Sequence, residues 1–202
     1  MTIAKLFIAE GVDASHVYLP QEYLDKLKTM LKNVLEFLNE NNLDYWADGG
    51  TLLGAIRDKD HIKWDDDEDL GMDVINFFRF KKIMNQLAKK YGYEIRVQPD
   101  DIIKIVDNTN CYVRDTQAGT TDPRLACIDI FHYILLKKDK RFVLSSLNNR
   151  ILFKGAEYNK SDLLPLVEYD YGDLKVKGAN NPQVYLNNYY GKWHEKIVYL
   201  YL

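Results

Sequence analysis

One short stretch of this chain holds most of its chemically reactive side chains. It begins with the turn Asp48-Gly49-Gly50-Thr51, continues past Arg57, and ends in the acidic run Asp65 to Asp69. A tryptophan precedes the run and an apolar residue follows it at once, which is unusual for an acidic loop in solvent. Neighbouring carboxylates repel one another, and oxygen ligands suit Mg²⁺ or Mn²⁺. The run therefore predicts a site for one of these metals.

Alternation along a strand indicates which of the acids act together. Residues two apart point to the same side, so Asp67 and Asp69 share a face with Asp65, while Glu68 points away. We expect the third ligand to come from another strand, and Asp129 is the candidate because a lone carboxylate in an apolar strand needs a charged partner. Three converging carboxylates are typical of two-metal phosphoryl transfer, and one of them could accept the proton of an attacking hydroxyl.

The turn before the acidic run predicts a phosphate-binding element. Backbone N–H groups at Gly49 and Gly50 can approach a phosphate because no side chain blocks them, and Arg57 would supply a charged fork to the same phosphate. Simpler alternatives stay open for each feature. Glycine pairs also form ordinary turns, a lone arginine also forms surface salt bridges, the acids could be a solvated turn, and Asp129 could cap nearby backbone in the core.

Bulk composition limits the function further. A chain of 202 residues that is 47% hydrophobic can bury one core. The net charge of −3 gives no general attraction to nucleic acid, so none is expected as a partner. The two cysteines, Cys111 and Cys127, have no zinc-binding spacing. With no signal peptide and no apolar run of about 20 residues, we expect a cytoplasmic protein without a transmembrane segment.

Hydrophobic periodicity predicts an α/β (α+β) fold, with a mixed β-sheet flanked by helices. Residues 21–202 form one predicted domain after an N-terminal extension, 1–20. The predicted helices are 21–41, 52–57, 76–91 with Asn76 as its N-cap, and 183–190 started by Pro182. The predicted strands are 43–47, 70–74, 93–97, 102–106, 125–136, 141–144 and 151–153. The turn chemistry of residues 114–124 predicts a flexible loop.

These motifs resemble the signature of the LicD family, which includes bacterial phosphorylcholine transferases, fukutin and fukutin-related protein. The family pattern is a DGGTLLGA-R block followed at a fixed distance by WDDD-D and Gly-Met, then an Asp-Ile-Phe strand, a Leu-Pro-Leu and a closing Tyr-Leu, Tyr-Gly and Trp. In this chain these correspond to residues 48–57, 64–72, 129–131, 164–166 and 185–193. The similarity spans roughly residues 31–193, and its first block is highly specific.

The resemblance implies both a fold and a reaction. The fold would be a minimal nucleotidyltransferase-like domain that uses Mg²⁺ or Mn²⁺. The reaction would move a phospho-alcohol, such as phosphocholine or phosphoribitol, from a CDP-linked donor to a hydroxyl of a glycan or glycoconjugate acceptor, with CMP as the leaving group. The implied metal and catalytic residues are Asp67, Asp69 and Asp129, and the implied donor-binding residues are Gly49, Gly50, Thr51 and Arg57.

The chain departs from the family pattern at three places. Glu68 stands where the family usually has an apolar residue facing the core, so we expect either an open face there or a metal register shifted toward Asp65 and Asp67. Lys63 replaces a proline, and Asp60-His61 replaces a glycine-aromatic pair. We interpret His61 as an ordinary surface or core residue.

Two other functions fit the acidic pattern. A metal-dependent glycosyltransferase also uses an Asp-x-Asp pair to hold a nucleotide sugar, and the nucleotide released would distinguish it. A Ca²⁺-dependent carbohydrate-binding module would hold metal structurally and would not bind a CDP or other nucleoside diphosphate compound. The transferred alcohol, the acceptor and the oligomeric state are not readable from the sequence.

Overall fold

The computed structural model describes the backbone of residues 3–7, 18–115, 121–195 and 197–201, and the side chains of residues 18–109 and 125–195. The strands in chain order are β1 (Ile3–Phe7), β2 (Trp46–Ala47), β3 (Asp67–Asp73), β4 (Glu94–Val97), β5 (Ile102–Asp115), β6 (Thr121–Leu136), β7 (Arg141–Leu144), β8 (Glu157–Asn159), β9 (Val167–Tyr171), β10 (Leu174–Gly178) and β11 (Ile197–Tyr201). The helices are α1 (Gln21–Glu40), α2 (Gly49–Leu53), α3 (Val74–Tyr91), α4 (Leu147–Leu152), α5 (Lys160–Leu163) and α6 (Pro182–Tyr190), and a π-helical turn, Gly54–Asp58, continues α2.

A mixed seven-stranded sheet forms the centre of the fold. Its main path runs β2-β3-β6-β5-β4, with β7 paired to β6 and β8 paired to β7. Strands β3 and β6 are parallel, and the other pairs in this sheet are antiparallel. Helices α1 and α3 pack against β3 and β6. The predicted α/β class with a mixed sheet flanked by helices is confirmed.

The core lies between this sheet and the two long helices. On α1 the buried apolar residues recur at the spacing of one helix face, among them Leu27, Leu31 and Leu38. The corresponding face of α3 buries Phe77 and Phe80 completely. The sheet side of the core is apolar and consists of Leu70, Met72, Ile103, Ile105, Ile128 and Ile130. Burial of these side chains fixes which face of β3, β5 and β6 is left for chemistry.

Several predicted boundaries are wrong in detail. Helix α3 begins at Val74, and its N-cap is Asp73, whose carboxylate accepts the backbone N–H of the predicted cap, Asn76. Helix α2 starts at Gly49 rather than residue 52. Residues 151–153 are not a strand, because the side chain of Ser146 caps helix α4, which includes Ile151 and Leu152, and both of these side chains face solvent.

The predicted loop 114–124 is also largely strand. Backbone pairing of β5 with β6 continues as far as Arg114 with Asp122 and Asp115 with Thr121, and residues 116–120 lie outside the described part of the chain. Two small antiparallel sheets, β9–β10 and β1–β11, complete the fold. Strand β1 belongs to the predicted N-terminal extension, of which residues 1, 2 and 8–17 lie outside the description.

Within the described residues, no helix is both long enough and apolar enough to cross a bilayer.

Candidate active site

Three adjacent strands place Asp69, Asp129 and Lys104 in one lateral row. Asp69 of β3 is the register partner of Asp129 of β6, which is in turn the partner of Lys104 of β5. Register partners point to the same face of a sheet, so these three side chains lie together on the face opposite the apolar core. The ammonium nitrogen of Lys104 is 2.8 Å from Oδ1 of Asp129. Two of the three predicted carboxylates are therefore brought side by side, next to a cation that the sequence interpretation missed.

The carboxylates of this face raise one another's pKa. Burial, followed by the charges of Asp65, Asp129 and Asp66, holds the pKa of Asp67 well above its ordinary value. Burial, followed by the charges of Asp67, Asp65 and Asp129, has the same effect on the pKa of Asp69. Each charged carboxylate is thus disfavoured both by loss of water and by its neighbours. A divalent cation would relieve this cost.

The beginning of the acidic run adds further oxygen ligands. Asp65, Asp66 and Asp67 each offer one carboxylate oxygen, and these three oxygens lie within 4.8 Å of one another. Burial raises the pKa of Asp65 to about 7, even though the charge of His61 opposes the shift. Asp67 belongs both to this group and to the face that carries Asp69, so it lies at the centre of the acidic surface.

Gly49 and Gly50 allow these carboxylates to approach the backbone. A Cβ atom on Gly49 would overlap the carboxylate of Asp69, and one on Gly50 would overlap the carboxylate of Asp65. Gly49 also has a φ of +44°, in the left-handed region. The N–H of Gly50 donates to Oδ2 of Asp69 at 2.8 Å. In this structure the turn predicted to bind phosphate therefore donates a hydrogen bond to the carboxylate of Asp69.

Glu68 lies on the opposite face of β3 and is completely buried. Its carboxylate accepts a hydrogen bond from Thr51 Oγ1 at 2.6 Å and from the Tyr171 hydroxyl at 2.8 Å. The imidazole of His61 contacts it at 2.7 Å through Nδ1 and contacts the backbone carbonyl of Asp65 at 2.9 Å through Nε2. The expected open face is absent at Glu68, because the side chains of Thr51, His61 and Tyr171 enclose the carboxylate.

The imidazole of His61 is protonated at neutral pH. Burial disfavours protonated His61, but the charge and hydrogen bond of Glu68, together with the charge and backbone carbonyl of Asp65, outweigh burial and raise the pKa of His61 to about 9. The Thr51 hydroxyl, which donates to Glu68, also accepts the backbone N–H of Asp69 at 2.7 Å. This set of contacts connects the turn, the strand and residue 65. His61 is thus a structural partner of the acidic strand, and the paired departure of residues 61 and 68 from the family pattern was the available signal.

Asp48 is held by tyrosines beneath the turn. Its two carboxylate oxygens accept hydrogen bonds from Tyr133 at 2.7 Å and Tyr158 at 2.6 Å, and the N–H of Gly49 donates to the hydroxyl of Tyr185 at 3.2 Å. The sequence showed Asp48 as part of the motif but did not indicate these partners, which come from three distant elements. The cluster fixes the point at which β2 enters α2.

The remaining predicted ligands are engaged elsewhere. Arg57 donates to Asp58, with its shortest contact at 2.6 Å, and lies 5.6 Å from the ring centre of Trp64. The Thr51 side chain is buried among the contacts of Glu68. A cleft of about 40 Å³ opens beside Asp69, with aromatic walls that include Phe131. Donor binding by Arg57 and Thr51 stays a prediction.

The sequence of this chain matches a known protein family. The model of the LicD/FKTN/FKRP nucleotidyltransferase domain matches residues 42–181, well over half of the chain, and this range includes the turn, the acidic run and Asp129. The chain belongs to the LicD family. The resemblance inferred from the motifs is thereby confirmed.

Relatives of this LicD family member come from distant organisms. An uncharacterised protein of Rickettsia prowazekii is 28% identical over 172 residues, which cover 85% of this chain and 56% of the relative. The lipopolysaccharide cholinephosphotransferase LicD of Haemophilus influenzae is 30% identical over 133 residues, 55% of this chain and 49% of the relative. Mannosyltransferase regulator 14 of Saccharomyces cerevisiae is 33% identical over 67 residues, 33% of this chain and 7% of the relative. The chain spans about half the length of the two bacterial relatives.

Proposed function

We propose that this protein is a metal-dependent transferase that moves a phospho-alcohol from a CDP-linked donor to a hydroxyl of a glycan or glycoconjugate. The acceptor oxygen would form a bond to the phosphorus that bears the alcohol, and the bond from that phosphorus to the bridging oxygen would break, releasing CMP. The observation that carries the proposal is the face of β3 on which Asp67 and Asp69 lie beside Asp129. Family membership, with a cholinephosphotransferase among the relatives, supports it.

The donor set fits a hard divalent cation. The acidic run and the face of β3 offer carboxylate oxygens, and those of Asp65, Asp66 and Asp67 lie within 4.8 Å of one another. This chemistry matches Mg²⁺ or Mn²⁺ rather than a metal that prefers sulfur. Burial and repulsion by neighbouring carboxylates disfavour the ionised forms of Asp67 and Asp69, and a bound cation would stabilise those forms. We assign the metal to Asp67 and Asp69, with Asp129 as the third carboxylate of the site. The bound ion would neutralise charge on the phosphates of the donor.

The protein's own groups would orient the reaction. Glu68 and Thr51 fix the direction of Asp67 and Asp69 from behind the strand, and the Asp48 cluster fixes the turn. Asp129 faces the same side and could accept the proton of the acceptor hydroxyl. Gly50 permits close approach of a phosphate once Asp69 turns toward the metal, and Arg57 would have to exchange Asp58 for the donor.

The test is product formation with defined donors. The purified chain is incubated with CDP-choline, CDP-ribitol or CDP-glycerol, Mg²⁺ or Mn²⁺ and a glycan acceptor pool, and CMP is measured by chromatography. We expect CMP with at least one donor, and its loss on addition of EDTA. Thermal stabilisation by the same donor would report binding independently, because a ligand that binds the folded state raises its melting temperature.

Matched variants locate the chemistry. Asp67→Asn removes a charge at nearly constant size and should abolish CMP formation without unfolding the chain, whereas Glu36→Gln, at an exposed position on α1, should leave it unchanged. Full activity in Asp67→Asn would contradict the proposal. Release of a nucleoside diphosphate from a nucleotide sugar would support a glycosyltransferase instead, and absence of any metal-dependent nucleotide binding would support a carbohydrate-binding module.

A further inference from the structure

Lys104 is a cation built into the acidic face. It stands in β5 between Ile103 and Ile105, which are fully buried on the other side of the sheet. Its ammonium nitrogen lies 2.8 Å from Oδ1 of Asp129 and 3.4 Å from Sγ of Cys127. A lysine in the middle of an apolar strand is as unusual as the aspartate opposite it. The two residues therefore form an ion pair at the floor of the site.

The surroundings keep this lysine protonated. Burial disfavours its ammonium, but the charge of Asp129, with further contributions from Cys127 and Asp67, raises the pKa of Lys104. The side chain is 27% exposed, so its charge remains accessible from the acidic face. Asp129 consequently already has a close cationic partner, whereas a carboxylate oxygen of Asp67 lies within 4.8 Å of those of Asp65 and Asp66, and Oδ2 of Asp69 accepts the N–H of Gly50.

We infer that Lys104 takes the place of a second divalent cation in this site. Asp129 stays paired with the ammonium, and the chain binds one Mg²⁺ or Mn²⁺, on Asp67 and Asp69. A second divalent ion at Asp129 would have to displace the ammonium or lie against a like charge. We further place the Lys104 ammonium beside the phosphates of the donor, where a fixed cation would stabilise the charge that develops on the phosphoryl group. This step rests on the proposed function.

The experiment counts bound metal without any reaction. The intact chain is titrated with MnCl₂, alone and with CDP, and free Mn²⁺ is followed by electron paramagnetic resonance. We expect one Mn²⁺ per wild-type chain under both conditions. Two ions, or none, would overturn the inference.

Variants test the role of each partner. Lys104→Met should bind two Mn²⁺ because Asp129 is released, and Lys104→Arg should return to one because it retains the charge. Asp129→Asn alone should keep one ion with less than a threefold change in Kd, and Lys104→Met combined with Asp129→Asn should lose the second ion. Lys89→Met, at an exposed position on α3, is the control for loss of a lysine.

The outcomes separate this inference from the proposed function. A stoichiometry that stays at one in Lys104→Met, or a large loss of Mn²⁺ affinity in Asp129→Asn, would show that Lys104 does not act as a second cation. Circular dichroism checks folding, and Lys104→Gln replaces Lys104→Met if the latter does not fold. A chain that binds one Mn²⁺ as expected but forms no CMP with any donor would contradict the proposed function only.

Discussion

Strand β3 carries carboxylates on both of its faces, and the groups that surround these carboxylates differ between the two faces. On one face Asp67 and Asp69 lie among other acids, and burial together with mutual repulsion raises their pKa. On the other face Glu68 is fully buried but is surrounded by His61, Thr51 and Tyr171. The pleat separates these environments by a single residue.

The difference shows how one acidic run serves two purposes. A carboxylate that is buried without enough partners costs stability and is ready to bind a cation, whereas a carboxylate with a full set of partners holds its strand in place. The fully partnered face also connects to the other face, because Thr51 contacts both Glu68 and the backbone of Asp69. The residue that departs most from the family pattern is therefore the support of the proposed metal ligands.

The largest expected effect is on catalysis. Asp69→Asn should lower the rate of CMP formation at least about a hundredfold, the scale on which removal of one electrostatic stabiliser acts, whereas Glu68→Gln should cost less than about tenfold. Both rates are measured at a temperature at which circular dichroism shows each variant folded. Equal losses would show that the two faces do not differ in function.

The free energy of unfolding should respond in the opposite order, with a larger loss for substitution of Glu68 than for substitution of Asp69. Glu68→Ala removes the partner of buried His61 and should lower the free energy of unfolding by about 3–5 kcal/mol, the usual cost of breaking a buried ion pair. For a chain of this length this is a fall in Tm of roughly 10 °C. Asp69→Asn without metal should instead raise Tm, because it removes a repelled charge. Calorimetry of both variants in EDTA measures the contrast.

A double substitution sharpens the comparison. His61→Phe with Glu68→Ile restores an aromatic residue and an apolar residue of the kind the family pattern has at these positions. We expect the double variant to recover at least half of the Tm lost in Glu68→Ile alone, because replacing a buried ion pair with apolar residues is often neutral or stabilising. The Thr51 and Tyr171 hydroxyls lose their acceptor and prevent full recovery. Additive losses would mean that residues 61 and 68 act independently.

The dependence of stability on pH tests the same comparison. The folded pKa of Asp65, about 7, exceeds its ordinary value of 3.8, so the folded chain holds more protons than the unfolded chain between these values and loses stability as pH rises. The folded pKa of His61, about 9, exceeds its ordinary value of 6.5, so the contribution of charged His61 is also lost as pH rises through 9. Tm without metal should fall from pH 5 to pH 9.

Metal provides the control for this pH series. Mn²⁺ should raise Tm more at pH 8 than at pH 5, because protons compete with the ion for Asp65 and its neighbours at the lower pH. Asp65→Asn should flatten the part of the curve below pH 7. A Tm that rises with pH in the absence of metal would contradict both assignments.

Local pattern predicted much of the site. The alternation of Asp67, Glu68 and Asp69 follows from the two-residue period of a strand, and Asp129 stood out as one charge in an apolar segment. Lys104 carries the same signal, one charge among the apolar residues of 102–106, but a pattern of acidic metal ligands does not include a lysine. The prediction for residues 151–153 is wrong because three apolar residues suggest a strand, whereas the Ser146 cap and the exposure of Ile151 and Leu152 favour the end of a helix.

The residue pattern of the sequence does not predict which distant strands pair or in which register. The sequence does not state that β3 lies beside β6 in parallel, or that Lys104 is the partner of Asp129, because these pairings depend on packing of the whole sheet. For the same reason Tyr171, from a separate hairpin, and the tyrosines around Asp48 were not foreseen. Side chains that act alone can be found from local spacing, but their partners require the fold.

The parallel pairing of β3 with β6 has a consequence for the order of folding. The chain between them contains α3, β4 and β5, so Asp69 meets Asp129 only after a long loop has closed. The β4–β5 pair and the β5–β6 pair join neighbours in sequence and can form earlier. We therefore expect Asp69 and Asp129 to come together late in folding, after much of the core has formed. Refolding with Mn²⁺ in excess should speed the final step and leave the early ones unchanged, as stopped-flow fluorescence would measure.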